Sequence, residues 1–440
     1  MRFKPLPLAL MIALAPATHA ANLSDVYRDA AAYDAQYAAA RAAYEAGREK
    51  SAQGRAGLLP NVNLSGNALY QNVDASFDEK SFNSSNIAVK AAQPLYRRQN
   101  QVAYQQSKEQ VKIAEMQLKL AEQDLVLRVA QAYFDVLQSQ DNLEFIAAQK
   151  AAITEQLAAA KRNFEVGTAT ITDTHEAQAR YDLALADEIA EQNTHAIGLR
   201  ALEKLIGKPA EPLDALPGNE PAQGPQGEID EWAARAAQSN LQAEIQRLSK
   251  NIADQEVARN RAGHYPTLDA IASYSINNNM AFATETFDLK VASVGVELNL
   301  PIYQGGLTSS RVREAVANQE RARQDLENAT REASLQARQA WLNVRSGEAR
   351  VQALEQALTS TEAQLASTKL GLEVGVRTSL DVLDAEQQVW SARRNLAGAR
   401  YAYLLAGLSL KAAVGTLGPA DLAAIDQHLR APQPATGGPL

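Results

Sequence analysis

The chain has 440 residues and no cysteine. Disulfides, thiolate metal sites, a cysteine nucleophile and a lipid carried on an N-terminal cysteine are all excluded at once. Aromatic residues are scarce, at 6%. Alanine, glutamine and glutamate are abundant instead, a balance that suits long helices in shallow layers better than a thick globular core. Beyond the N-terminus no apolar run approaches the roughly 18 residues of a transmembrane helix. His175, His195, His264 and His428 are scattered without ligand spacing, and there is no phosphate loop or nucleophile motif. Catalysis, a cofactor and a bound metal are therefore not expected. The formal charge of −8 argues against nucleic acid as a partner.

Residues 1–20 read as a secretory signal peptide. Arg2 and Lys4 form a basic start, Leu6 to Leu14 an apolar stretch, and Thr18-His19-Ala20 a small-residue cleavage site.

Proline and glycine are missing from Gln101 to Phe164. At about 1.5 Å per residue this stretch can reach roughly 100 Å as a helix. Its apolar positions, among them Val111, Leu118, Leu125, Val129, Val136, Ile146, Ile153 and Leu157, recur mostly in steps of three and four, the seam of a coiled coil. Leu326, Ala333, Ala337, Ala340, Val344, Val351, Leu358 and Leu365 repeat that seam later in the chain.

The repetition is general, because the chain is written twice. Phe164-Glu165-Val166-Gly167 and Thr170-Ile171-Thr172-Asp173 return 208 residues later as Leu372-Glu373-Val374-Gly375 and Thr378-Ser379-Leu380-Asp381. A duplication this long predicts one folded unit used twice about a pseudosymmetric axis. Each long helix is expected to stop at its glycine, Gly167 or Gly375, in a left-handed cap. Each following helix is expected to start in a T-x-x-D capping pattern, which makes the two helices antiparallel neighbours. Opening helices are expected over Leu23 to about Arg55 and Ile229 to about Arg261.

Between the opening and long helices the period changes from 3.6 to two. Val62, Leu64, Gly66, Ala68 and Tyr70 alternate with Asn61, Asn63, Ser65 and Asn67, and Ile87, Val89 and Ala91 with Asn86, Ala88 and Lys90. The second half repeats this with Leu268, Ala270, Ala272, Tyr274 and Ile276, then Val294, Val296, Leu298 and Leu300. These are four strands, apolar on one face and polar on the other. Asp74 to Ser85 and Asn277 to Asp288 are expected to be polar loops. Pro60, Pro94, Pro266 and Pro301 mark the helix–strand junctions, since proline removes a donor and forces its predecessor out of helical geometry. The expected divisions are a signal peptide 1–20, a first repeat 21–208, a linker 209–228, a second repeat 229–415 and an irregular tail 416–440.

Four strands cannot close alone, and in lipid every sheet edge must be paired. Three copies give twelve strands, an even number known for outer-membrane barrels. The pattern by itself also admits a soluble four-stranded sheet on a helical stalk.

The duplicated architecture resembles the TolC family of outer-membrane efflux and type I secretion channels. So do Pro301-Ile302-Tyr303-Gln304-Gly305-Gly306 at a strand-to-helix switch and the run Gly375-Val376-Arg377-Thr378-Ser379-Leu380-Asp381-Val382-Leu383-Asp384-Ala385. The resemblance covers essentially the whole mature chain. It implies an α+β membrane protein, a homotrimer with a twelve-stranded outer-membrane β-barrel continuous with a long periplasmic α-helical barrel. It implies a Gram-negative outer-membrane location, contact with outer-membrane lipid, and docking to a periplasmic adaptor (membrane fusion) protein and an inner-membrane pump or ABC exporter. The family closes its periplasmic end at the second-half hairpin tips, where two Asp spaced i, i+3 form acidic, cation-selective rings; they map onto Asp381 and Asp384. In the family a basic residue locks the aperture by tethering to a Thr-Asp pair of a neighbouring hairpin; the resemblance implies Arg377 for the first and Thr172 and Asp173 for the pair. One departure is Leu372, where the best-known members have a Tyr that adds a polar tether. A periplasmic coiled-coil adaptor or scaffold protein is the alternative reading.

Overall fold

The computed structural model describes residues 21–75, 78–168, 170–216, 226–282 and 285–429. The expected signal peptide, much of the expected linker and the last part of the expected tail lie outside these residues. The elements run α1 (Leu23–Tyr33), α2 (Ala35–Ala56), β1 (Asn61–Ala75), β2 (Asp78–Tyr96), α3 (Arg98–Glu165) and α4 (Ile171–Ile206). They continue with α5 (Ile229–Ser239), α6 (Leu241–Arg261), β3 (Thr267–Phe282), β4 (Glu285–Asn299), α7 (Leu307–Glu373), α8 (Ser379–Ala413) and α9 (Pro419–Asp426). The same order is thus used twice, with α9 added.

Each opening helix is two helices. Asp34 ends α1 and starts α2 by accepting from the Tyr37 N–H at 2.7 Å. Asn240 does the same between α5 and α6, accepting from Gln242 and Ala243. A short Asx side chain that bonds its own downstream backbone competes with the helix and breaks it. Arg128 of α3 then clamps Asp34 through two nitrogens, at 2.9 and 3.1 Å, so the bend is tied to the long helix.

The four strands form one antiparallel sheet in the order β1-β2-β3-β4. The two repeats meet at β2–β3, where Ile87 faces Ile276 and Val89 faces Tyr274. Cross-strand register puts Leu64, Val89, Tyr274 and Ala292 in one row, and Val62, Ala91, Ala272 and Val294 in the next. That face is exposed and apolar; Val294 is 89% accessible. The opposite face carries Asn63, Lys90, Ser273 and Ser293 in one row, and Ser273 and Ser293 share a hydrogen bond of 2.7 Å. Asn86 and Asn277 pair on the same polar side.

The strands exceed the expected lengths. The stretches read as loops, Asp74 to Ser85 and Asn277 to Asp288, are largely ladder, with Asp74 opposite Glu79 and Ala281 opposite Thr286. Side-chain alternation fades there, but the ladder is made by backbone groups and continues. Pro60, Pro266 and Pro301 stand just outside strands, as expected. Pro94 differs: it lies inside β2, next to a register shift between Pro94 and Tyr96. A bulge is one of the few places in a sheet that accepts a residue without an N–H.

The tail read as irregular from 416 carries α9. Proline starts this helix, and Asp421 accepts from the Gly418 N–H at 2.9 Å. Leu422, Ile425 and Leu429 pack on Leu23 and Val26 in the largest core, where Tyr133 and Phe134 are fully buried. Asp426 accepts from the Leu23 and Ser24 N–H groups at 2.8 and 3.0 Å, so the last residue of α9 caps α1.

Beside that core Tyr401 of α8 stacks on Phe134 and donates to Asp141 of α3 at 2.7 Å. Burial pushes the Asp141 carboxyl up to about 6, although the Tyr401 hydroxyl opposes the shift. A raised carboxyl favours folding fully below its ordinary pKa, and that contribution is lost as pH rises through about 6. Asp141→Asn, which still accepts from Tyr401, is expected to stabilise the protein above pH 6 by on the order of 1–3 kcal/mol. Thermal unfolding between pH 4 and 8 should show a flatter profile than the parent. A variant less stable than the parent at pH 7.5 would refute this.

Candidate functional site

Both long helices end in the same way. The Gly375 N–H bonds Leu372 O at 3.0 Å and the Val376 N–H bonds Gly371 O at 2.9 Å; Gly167 and Thr168 repeat the pair on Phe164 and Asn163. Gly167 and Gly375 both have φ +77°, a conformation that strains any residue with a Cβ. The next helix then opens with a reciprocal cap. Asp381 accepts from the Thr378 N–H at 2.8 Å and hydroxyl at 2.9 Å, while Thr378 accepts from the Asp381 N–H at 3.2 Å. Thr170 and Asp173 make the matching cap on α4. The turn chemistry was legible because it lies within a few residues of sequence.

Arg377, Asp381 and Asp384 line one polar groove between α7 and α8, with Gln364, Ser367 and Gln388. Arg377 is 60% accessible and lies 3.9 Å from Asp381. The Thr378 bonds, helped by Arg377, hold the Asp381 carboxyl below the usual carboxylate range. Within one chain no hydrogen bond or ion pair among the described residues joins Arg377 to Thr172 or Asp173. Asp173 serves its own helix, and Thr172 is exposed one residue earlier.

Two residues at the tip carry no motif. Gly371 is buried in α7, and a Cβ there would stand 2.7 Å from the Arg377 Cγ. The glycine makes room for the stem of Arg377. Arg180 of α4 reaches across to Asp384 of α8 at 2.7 Å and to Glu176 at 3.1 Å. The Glu176 spacing of four residues was readable as a helix pair; Asp384 lies in the other repeat and was not.

The Outer membrane efflux protein family matches residues 26–208 and 231–416. The outer membrane protein TolC of Vibrio cholerae serotype O1 is 35% identical over 434 residues, spanning 97% of this chain and 99% of its own. The chain belongs to the outer membrane efflux protein family. The proteases secretion protein PrtF of Dickeya chrysanthemi is 30% identical, over 96% of this chain and 94% of its own. The crystal structure of VceC, an outer membrane protein of Vibrio cholerae, superposes with a TM-score of 0.74 at 18% identity, covering 89% of this chain and 96% of that one.

As a member of this family the protein is an outer-membrane channel that extends into the periplasm, and it is not an enzyme. The four-stranded sheet is one third of a trimeric twelve-stranded barrel. That closes the open edges of β1 and β4, turns the face of Val62, Leu64 and Val294 to lipid, and leaves the row of Asn63, Lys90 and Ser273 inside. No helix among the described residues is long and apolar enough to cross a membrane. The strands do the crossing, and the reading as a periplasmic adaptor or scaffold falls with that.

Proposed function

We propose that the protein is the exit duct of a tripartite efflux pump or type I secretion system, shut at its periplasmic tip until an adaptor and an inner-membrane pump or exporter open it. The observation that carries this reading is the pair of identically built hairpin turns, the second of which gathers Arg377, Asp381 and Asp384 on one groove. A carboxylate pair at i, i+3 on three copies forms a negative constriction that focuses potential. Arg377, exposed at the turn, is free to exchange its long contact with Asp381 for Thr172 and Asp173 of a neighbouring hairpin. The name of PrtF, a protease secretion protein, supports the secretion branch. Val166, Val374 and Val376 leave an apolar tip facing water, where a partner gains by covering it.

The test uses the absence of native cysteine. Val376→Cys carrying a short thiol cross-linker is expected to capture a periplasmic membrane fusion protein in intact cells, in the presence of the exporter encoded with it. The same label on an outward position of β4, Val294→Cys, should not. Capture of no such protein by the tip label, in cells where the channel supports export, would refute the docking reading.

A further inference from the structure

Arg180 stands where the duplication is broken. The acidic positions of the two hairpins correspond at the 208-residue offset, Asp173 with Asp381 and Glu176 with Asp384. The residue corresponding to Arg180 is Gln388, which lines the groove of Arg377 and Asp384 but carries no charge. One arginine in the first repeat therefore serves both members of a duplicated acidic pair. It bonds Glu176 on its own helix and Asp384 on the helix of the other repeat.

Its setting is built. The Arg180 side chain is only 22% accessible, against 53% for Asp384. It lines a cavity of about 160 Å³ together with Ile153, Leu183, Leu383 and Trp390. Ile153, Ala184 and Leu383, with Tyr181 against them, form a small core joining α3, α4 and α8 just behind it. The other charged groups on that cavity are Asp187 of α4 and Glu386 of α8. Glu386 is taken by Lys369 at 3.2 Å and by Gln156 of α3. Lys150 of α3 is taken by Glu188. Arg377 shares a groove with Asp384 but makes its contact with Asp381 at 3.9 Å, whereas Arg180 meets Asp384 at 2.7 Å.

We propose that Arg180 is a positioning and selectivity-setting residue of the periplasmic aperture: it sequesters Asp384 in an ion pair across the two repeats, leaving Asp381 as the carboxylate that cations meet. This rests on the reading that the start of α8 lines the aperture. Two consequences follow physically. A guanidinium holding a carboxylate removes it from the set that can chelate a multivalent cation. The same pair joins the outer and inner hairpins of one protomer, so a motion that separates α4 from α8 breaks it and exposes three further carboxylates in the trimer. The ring then becomes more acidic as it widens.

The test is multivalent-cation block of the purified trimer in planar bilayers. Arg180→Gln installs the residue that its repeat partner has. It is expected to tighten block by about fivefold, the scale of one unpaired charge a few ångströms from the ion in water. Arg180→Gln with Asp384→Asn should return to the parent value, and Arg180→Lys, which keeps the charge, should stay near it. A merely structural role would change assembly and leave the sign of these shifts unordered. Asp381→Asn separates the two readings. If it relieves block while Arg180→Gln leaves block unchanged, the assignment of Arg180 is wrong and the aperture stands. If neither changes block, the aperture reading itself fails. Should Arg180→Gln not assemble, the exchange of Arg180→Asp with Asp384→Arg decides. Restored trimer with parent-like block upholds the pair, and failure to restore them overturns it.

Discussion

Arg377→Ser is expected to raise single-channel conductance several-fold and to make cells leakier to large antibiotics, with the trimer intact. Among the described residues the Arg377 guanidinium has one ion-pair contact, with Asp381 at 3.9 Å, and is mostly exposed, so its removal costs the isolated fold little. Its proposed work is between chains, on Thr172 and Asp173 of the next hairpin. A charge-assisted bond contributes about 1.5–3 kcal/mol when shielded and less at an open tip. Three such links acting together are enough to shift a closed–open balance, and Leu372 leaves no second polar tether to replace them. The trimer is expected to be held by the barrel strands and the long helical seams, far from this point. Asp173 needs a gentler change than alanine, because it also caps α4. Asp173→Asn keeps an acceptor for Thr170 and should open the channel in the same direction, with the double variant adding little. Gly371→Ala supplies a separate check: its methyl would press on the Arg377 stem and should reproduce part of the effect without touching any charge. Parent-like conductance in an Arg377→Ser trimer would sink the tether and shift attention to packing around Leu372.

How much of this was readable depends on how far apart the interacting groups lie. The duplication, the seam through Leu125, Val129 and Val136, the two-residue period after Pro60, and the caps at Thr170 and Thr378 are local patterns, and the sequence carried them. The bends at Asp34 and Asn240 were local too, yet each is one Asx in an otherwise helical run, a signal that tertiary context decides. Here Arg128 supplies the context for Asp34. The strand extensions past Asp74 and Asn277 were missed because backbone pairing leaves no mark on side-chain alternation. α9 was missed because Gly418, Pro419 and the prolines beyond it read as irregular, although Pro419 is well placed to begin a helix. At the tip, Arg377, Asp381 and Asp384 were legible through the run from Gly375 to Ala385. Arg180 and Gly371 were not, since one finds its partner in the other repeat and the other acts by the space it leaves.

Asp381→Asn combined with Asp384→Asn is expected to abolish most of the cation preference of the channel and to relieve multivalent block at least about tenfold. On the proposed reading, three copies bring six carboxylates to one opening, with Asp384 held by Arg180 and Asp381 facing the ion path, where a narrow rim focuses potential. Asparagine is the informative replacement because Asp381 caps α8: its amide oxygen can still accept from Thr378, so the turn survives while the charge goes. The change is largest in the double variant, where Arg377 loses Asp381 and Arg180 keeps Glu176 as its partner, so the negative field of the rim is expected to collapse. The pH dependence reports on Asp381. Thr378 and Arg377 hold Asp381 below its ordinary value of 3.8, so its share of the block is present above that value and disappears only as pH falls through the lowered one. A channel that loses its block already between pH 6 and 5 would show that another group is the filter. Unchanged reversal potential and unchanged block in the double variant at neutral pH would remove both residues from that role, whatever Arg377→Ser does to conductance.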